Sequence, residues 1–434
     1  MTTIKKDTFR IKGHDSKRTL SGAIEVGGAK NAALKVMAVS VLFDDKITIK
    51  NVPAIEDVLR MKELLEDLGG KVVMKDKHSC DIIISKNIKT ELNKKISSKM
   101  RASIALVGPL LARFGAVSFP HPGGCVIGER PIDMFLEGFK KMGATVSHKS
   151  DKYTVSSKGK LQGAEIFFKV QSVTGTETFI MAGVLAKGTT VIKNAATEPE
   201  TVSLIEFLNT CGAKITGAGT STIKIEGGNL LNANGRIYTT IPDRIEAGSF
   251  LVLGALLGKD IRIEKCNPAH LGALIHALQS AGVVLEISED SIHIDGRKQP
   301  KSFNSVNIKT HEYPGFPTDL QAPMTVFLTQ AYGESLVFET IFEGRLSYVE
   351  AIETMGADIV SMDPHRVLVR GPSPLHGKRL ESPDIRAGLA FIISALVAKG
   401  ESVIHNVYYI DRGYEDIESR LQKVGANIER IEKE

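Results

Sequence analysis

Cationic side chains recur at one place along this chain, and it is a place where a cation needs a reason. Lys30, Arg101, Arg244 and Arg386 each open a run of small and apolar residues that reads as a helix. Asp319 opens a fifth such run, and the turn Ser172-Val173-Thr174-Gly175 opens a sixth. A helix N-terminus already presents unbonded N–H groups and about half a positive charge, so Lys or Arg there is unfavourable unless an anion is expected or a carboxylate pairs with it locally. A second ring of cations, Arg130, Arg345 and Arg412, lies 13, 11 and 13 residues ahead of Gly143, Gly356 and Gly425. Guanidinium groups grip phosphate and carboxylate through paired hydrogen bonds, so the pattern suits a small molecule with several anionic groups. Neither GxxxxGK[ST] nor GxGxxG occurs, which argues against nucleotide hydrolysis and dinucleotide redox chemistry.

Two further features carry chemistry. His121-Pro122-Gly123-Gly124-Cys125-Val126-Ile127-Gly128-Glu129-Arg130 sets a thiol in a glycine-rich loop close to positive charge, surroundings that lower a thiol pKa and make it reactive. Cys80, Cys211 and Cys266 lack that context and read as small buried hydrophobes. Phe316-Pro317-Thr318-Asp319 places a carboxylate among cations, where it can take a proton from a hydroxyl substrate and, with Thr318, cap a helix.

The elements that must position these groups come from a repeat. A helix-like segment ending in Gly and a small residue occurs six times, at Gly69, Gly143, Gly212, Gly282, Gly356 and Gly425, spaced 74, 69, 70, 74 and 69 residues apart. Each glycine falls where a helix C-terminus needs a left-handed residue. Within a period a short strand leads into a helix apolar nearly all round, such as Asn31 to Leu42 or Ala387 to Ala398. A β-rich strand follows, as in Lys46 to Ile49 or Thr190 to Ile192. An amphipathic helix such as Val58 to Leu68 and a closing strand complete the unit. Six βαβαβ(β) units with buried first helices predict two α/β domains of three units each, dividing near Gly235 to Pro242.

Composition bounds the rest. The 434 residues, 42% apolar and 24% charged, hold ample core material, and their length alone suggests about three domains, which the repeat revises to two. A net charge of +5 favours anionic small molecules over a nucleic-acid backbone, and the basic residues are not interleaved with aromatics. The N-terminal residues carry no apolar signal-like stretch, and the longest apolar runs fall short of the roughly 20 residues that span a bilayer, so a soluble cytoplasmic chain is expected. The four cysteines form no CxxC pair, and histidines show no metal spacing, so neither metal nor cofactor is expected.

Taken together, the six units, Gly27-Gly28-Ala29-Lys30-Asn31-Ala32-Ala33-Leu34, Met100-Arg101-Ala102-Ser103, the Cys125 loop through Arg130-Pro131 and Asp133, Phe316-Pro317-Thr318-Asp319 and Ile410-Asp411-Arg412-Gly413-Tyr414 resemble the UDP-N-acetylglucosamine 1-carboxyvinyltransferases, enolpyruvyl transferases of the EPSP synthase superfamily, over essentially the whole chain. The resemblance implies two inside-out α/β barrels joined by a double hinge, with residues 30 to 241 as the domain bearing the Cys loop and residues 1 to 29 plus 242 to 434 as the second. It implies transfer of the enolpyruvyl group of phosphoenolpyruvate to the 3′-hydroxyl of UDP-N-acetylglucosamine through a tetrahedral ketal, with release of phosphate. By the same likeness Lys30, Arg130 and Arg412 match positions that hold the donor phosphate, and Arg345 and Arg386 match those near its carboxylate. Asp319 matches the base facing the sugar hydroxyl, and Cys125 the thiol tied to proton delivery. Asn31, Arg101, Arg130, Pro131, Ile132, Asp133, Met134, Val170, Gln171, Ser172, Val173 and Ile341 match positions around the nucleotide sugar. Two other readings are the sister reaction on shikimate 3-phosphate and a non-catalytic UDP-sugar-binding relative. Lys30-Asn31 with the Cys loop speak against the first, and retention of Lys30, Cys125, Asp319 and Arg412 against the second.

Overall fold

The computed structural model describes residues 7–123 and 132–432. The chain forms two compact units, one made of residues 7–27 and 242–432 and the other of residues 28–123 and 132–241. Each has its own apolar core: Phe9, Phe250, Phe327 and Phe391 belong to the first, and Phe43, Phe119, Phe139 and Phe179 to the second. Among the described residues no helix is long and apolar enough to cross a membrane.

The apolar helices fall where the repeat places them. Lys30–Val39, Val107–Phe114 and Val173–Val184 lie in the 28–241 unit. Arg244–Leu257, Gln321–Leu328 and Ile385–Val397 lie in the other. Every residue of Ile385–Val397 is buried, as an all-round apolar helix requires. The starts differ from the sequence expectation in two ways. Ile385 rather than Ala387 begins the last helix because the Asp384 carboxylate accepts from the amides of Arg386 and Ala387. The residues after Met100 and Pro317 begin as 3-10 turns, Arg101–Leu106 and Thr318–Leu320, before the α-helices proper. The second helices, Glu56–Leu68 among them, end as expected: all six repeat glycines adopt positive φ, between 84° and 110°, a region open to glycine without a Cβ penalty.

Sheets follow the same repeat. Among the described residues, in five of them an edge strand runs parallel to the strand that follows the buried helix and two antiparallel strands extend the sheet; one of the five adds Ile308–Lys309, also parallel to Ala331–Phe338. Two arrangements break chain order. Thr8–Lys12 lies between Glu401–His405 and Asn427–Ile431, antiparallel to both, and so completes the last repeat from the other end of the chain. Leu20–Glu25 precedes the Lys30 helix yet pairs with Gly258–Glu264, while Ile237–Thr239 precedes the Arg244 helix yet pairs with Ile47–Lys50. The two edge strands are thus exchanged where the chain crosses between units. At one crossing Gly28 packs so tightly that a Cβ would lie 1.8 Å from the Asn51 carbonyl oxygen, which restricts the position to glycine.

Inside the 28–241 core, Lys35 and Glu177 form a buried ion pair between the Lys30 and Val173 helices. Burial pushes the Glu177 carboxyl up to about 7, opposed by Lys35 and reinforced by the nearby Glu200 and Glu198. A carboxyl raised above its ordinary 4.5 on folding binds more protons in the native state, so the stability it contributes at acid pH is lost as pH climbs from about 4.5 through about 7. Glu177→Ala should lower the unfolding free energy by about 3–5 kcal/mol, because Lys35 is left buried without its counter-charge. Denaturant titration at pH 7.5 checks this. The double replacement Lys35→Met/Glu177→Met should recover much of the loss and flatten the pH dependence of the melting temperature across that window.

Candidate functional site

In the 28–241 unit, Lys30 is the first residue of its helix, and its Nζ stands 3.3 Å from Asp57 Oδ2, both side chains being largely buried. Asp57 comes from the acidic first turn of the next helix, Glu56–Leu68, which packs against the Lys30 helix. Asn31 and Arg101 are half-buried, and the Arg101 turn packs against the same helix. The predicted nucleotide loop shapes the start of the Val173 helix. Val170 is 65% exposed, Gln171 Nε2 donates to the Ala195 carbonyl at 2.6 Å, and Ser172 Oγ accepts from the Gly175 amide at 3.1 Å. Gln171 Oε1 is left buried without a hydrogen-bond partner among the described residues, an acceptor in want of a donor. Ile132 is a buried residue at the start of the Asp133–Lys141 helix, Asp133 faces solvent and Met134 is half-buried. Cys125, Arg130 and Pro131 lie outside the described residues. Gly123, just before them, backs onto Ser98 so closely that a Cβ would meet its carbonyl oxygen at 1.6 Å.

In the other unit the structure brings three predicted residues into direct contact. Asp319 sits in the Thr318–Leu320 turn. Its Oδ1 accepts from Arg345 Nη2, and its Oδ2 accepts from Arg386 Nη2 at 3.0 Å. Both guanidinium groups are buried, while the carboxylate keeps 27% of its side-chain surface. Arg386 Nη1 also donates to the Tyr414 hydroxyl at 3.1 Å, and burial raises that phenol against the pull of Arg386. Arg412 is buried at the end of the Tyr408–Asp411 turn. Ile341 is half-buried, its amide donating at 2.8 Å to the fully buried Glu339 carboxylate.

These contacts revise the expectation at the helix starts. Thr318 and Asp319 do not cap: Thr318 Oγ1 donates to Glu339 Oε2 at 2.9 Å, and the Asp319 carboxylate turns to the two arginines. The cations Arg244 and Arg386 follow acidic capping residues, Asp243 and Asp384, which satisfy the first amides of their helices. Lys30 and Arg386 each have a carboxylate partner, so part of the cationic pattern is balanced locally. The three other cysteines fit their unreactive reading: burial drives Cys80 and Cys266 up to about 11 and raises Cys211 as well.

Against known proteins, the chain is 43% identical over 426 residues to the UDP-N-acetylglucosamine 1-carboxyvinyltransferase of Desulforapulum autotrophicum, spanning 98% of this chain and 100% of that one. It is 42% identical to the protein of the same name in Finegoldia magna, over 95% and 97% of the two chains. The family model described as EPSP synthase (3-phosphoshikimate 1-carboxyvinyltransferase) matches residues 15–421. The chain belongs to the UDP-N-acetylglucosamine 1-carboxyvinyltransferases of the EPSP synthase family. Its fold is that of the family: the enolpyruvyl transferase NikO of Streptomyces tendae superposes with a TM-score of 0.87 at 22% identity over 99% of this chain and all of the other. EPSP synthase from Acinetobacter baumannii superposes with a TM-score of 0.75 at 18% identity, over 98% and 100%. The resemblance read from the motifs therefore stands, as does the α/β class.

Sequence reasoning passed over Asp57, Tyr414 as a partner of Arg386, and Glu339. Asp57 had a signal, an acidic pair at a helix start. Glu339 had a weaker one, an acid directly after the strand-like run Leu336-Val337-Phe338 and six residues before Arg345.

Proposed function

We propose that the protein transfers the enolpyruvyl group of phosphoenolpyruvate to the 3′-hydroxyl of UDP-N-acetylglucosamine, releasing phosphate, as the first committed step of peptidoglycan precursor synthesis in a bacterial cytoplasm. The observation that carries this reading is the Asp319–Arg345–Arg386 cluster in a chain whose full-length relatives bear that enzyme's name. The donor's carboxylate competes with Asp319 for the two guanidinium groups. Asp319, relieved of one or both cations, becomes the more basic group and takes the proton of the sugar hydroxyl. The oxygen then attacks C2 of the donor while Cys125 delivers a proton to its methylene carbon, giving the tetrahedral ketal. Loss of that proton and of phosphate yields the enolpyruvyl ether. Lys30, Arg130 and Arg412 hold the departing phosphate. Asn31, Arg101, Ile132 to Met134, Val170 to Val173 and Ile341 hold the nucleotide sugar. In this reading each unit is a domain whose three sheets surround its three buried helices, an inside-out barrel. The arrangement is consistent with the nearly complete burial of those helices.

The deciding experiment incubates pure protein with phosphoenolpyruvate and UDP-N-acetylglucosamine and follows phosphate release together with the mass of the product. No release, with or without added metal, overturns the reading; preference for shikimate 3-phosphate in a competition assay assigns the sister reaction instead. For the phosphate contact, Lys30→Ala should raise the KM for phosphoenolpyruvate about 10- to 100-fold, the worth of one hydrogen bond to a charged group. UDP-N-acetylglucosamine affinity, read by calorimetry, should move far less.

A further inference from the structure

Glu339 is fully buried at the end of the Ala331–Phe338 strand, and its carboxylate accepts four hydrogen bonds. Three reach Oε1, from Thr310 Oγ1 at 3.0 Å, the Ile341 amide at 2.8 Å and the Phe342 amide at 3.1 Å. The fourth, from Thr318 Oγ1, reaches Oε2 at 2.9 Å. A hydroxyl that donates in this direction turns its lone pairs outward, and Arg345 Nε donates to it at 3.3 Å. The Arg345 guanidinium also lies 5.7 Å from the centroid of the Phe342 ring, and its Nη2 contacts Asp319. Glu339 thus anchors two of the groups that border Arg345, the Thr318 hydroxyl and the Phe342 backbone, and it fixes the amide of Ile341 in the same stroke.

We propose that Glu339 is a positioning residue for the transfer reaction: through Thr318 and the 341–342 backbone its carboxylate sets the Arg345 fork, and with it the direction of the Asp319 carboxylate. The inference rests on the function proposed above. A buried carboxylate confined by four donors has little freedom, which is what a group must supply if it orients another. Glutamine at 339 can keep the three bonds on Oε1, but its amide nitrogen faces the Thr318 hydroxyl as a donor and so turns the hydroxyl's proton away.

The experiment compares Glu339→Gln, Thr318→Val, Thr318→Ser, the double variant Glu339→Gln/Thr318→Val and Glu339→Ala. Glu339→Gln and Thr318→Val should each lower kcat about ten-fold, the scale of a sub-ångström misplacement, with the KM for UDP-N-acetylglucosamine within about two-fold. The double variant should also lose about ten-fold rather than a hundred-fold, since both changes break one relay, and Thr318→Ser should restore the rate. Amide hydrogen exchange provides a readout independent of turnover: the Ile341 and Phe342 amides should exchange faster in Glu339→Ala and stay protected in Thr318→Val. Additive losses in the double variant, a fully active Thr318→Val, or unchanged exchange in Glu339→Ala overturn the inference. Absence of turnover in the unaltered protein would instead overturn the proposed function, while the exchange measurement still decides the positioning role.

Discussion

Asp319→Asn should lower kcat by about a thousand-fold, within the range that a positioned general base contributes. Asparagine matches the carboxylate in shape, so packing in the Thr318–Leu320 turn is kept, but two things change. The proposed base is gone, and the two buried guanidinium groups that now reach Oδ1 and Oδ2 find only one acceptor oxygen between them. UDP-N-acetylglucosamine binding should change by less than about ten-fold, because this effect falls on the reacting hydroxyl and not on the bulk of the ligand. Single-turnover kinetics separate the two. A variant that keeps more than about a tenth of the wild-type kcat would exclude Asp319 as the base.

Deleting residues 1–12 should abolish folding of the 242–432 unit. Thr8–Lys12 is an interior strand, bonded on one side to Glu401–His405 and on the other to Asn427–Ile431. Its Phe9 and Ile11 side chains are fully buried in the core. Arg430, on the neighbouring Asn427–Ile431 strand, pairs with Asp7 beside the first strand and with Asp411 and Glu418 on the adjoining helices. Losing a buried Phe and a buried Ile alone costs about 5–10 kcal/mol, against a typical domain stability of about 5–15 kcal/mol. The check is the unfolding transition followed by circular dichroism: the truncated chain should show one transition, from the 28–241 unit, where the intact chain shows the contribution of both. A truncated chain that keeps the full melting amplitude would show that the strand is dispensable.

Much of this architecture was legible because it repeats. The glycine period marks six helix ends, and the all-apolar runs mark six buried helices, since both are local demands: a left-handed residue at a C-terminus and a helix with no solvent face. The candidate site was legible as a set of residue types. Asp319, Arg345 and Arg386 are 26 and 67 residues from their partners along the chain, and the repeat, by aligning equivalent helix starts and loops, is what made them members of one set. The contacts among them were not legible. That the Asp319 carboxylate turns to the arginines while the Thr318 hydroxyl turns to Glu339 is a matter of tertiary contacts with no sequence period behind them. Nor did the repeat reveal that the first strand belongs to the last sheet, because β-pairing between chain ends carries no local signal.

The exchanged strands set a timetable for the chain as it is made. Residues 28–241 contain every strand of their own three sheets, so that unit can close while synthesis continues. Leu20–Glu25 must wait for Gly258–Glu264, and Thr8–Lys12 must wait for Asn427–Ile431 before both of its edges are bonded. At about 5–20 residues per second, the first strand spends about 20 to 80 s with both edges unsatisfied. In that interval its alternation of buried Phe9 and Ile11 with exposed Arg10 and Lys12 puts charge on one face, a means by which open strand edges resist pairing with strangers. A ribosome that stalls between residues 242 and 427 therefore holds one finished unit tethered to one that has no way to close.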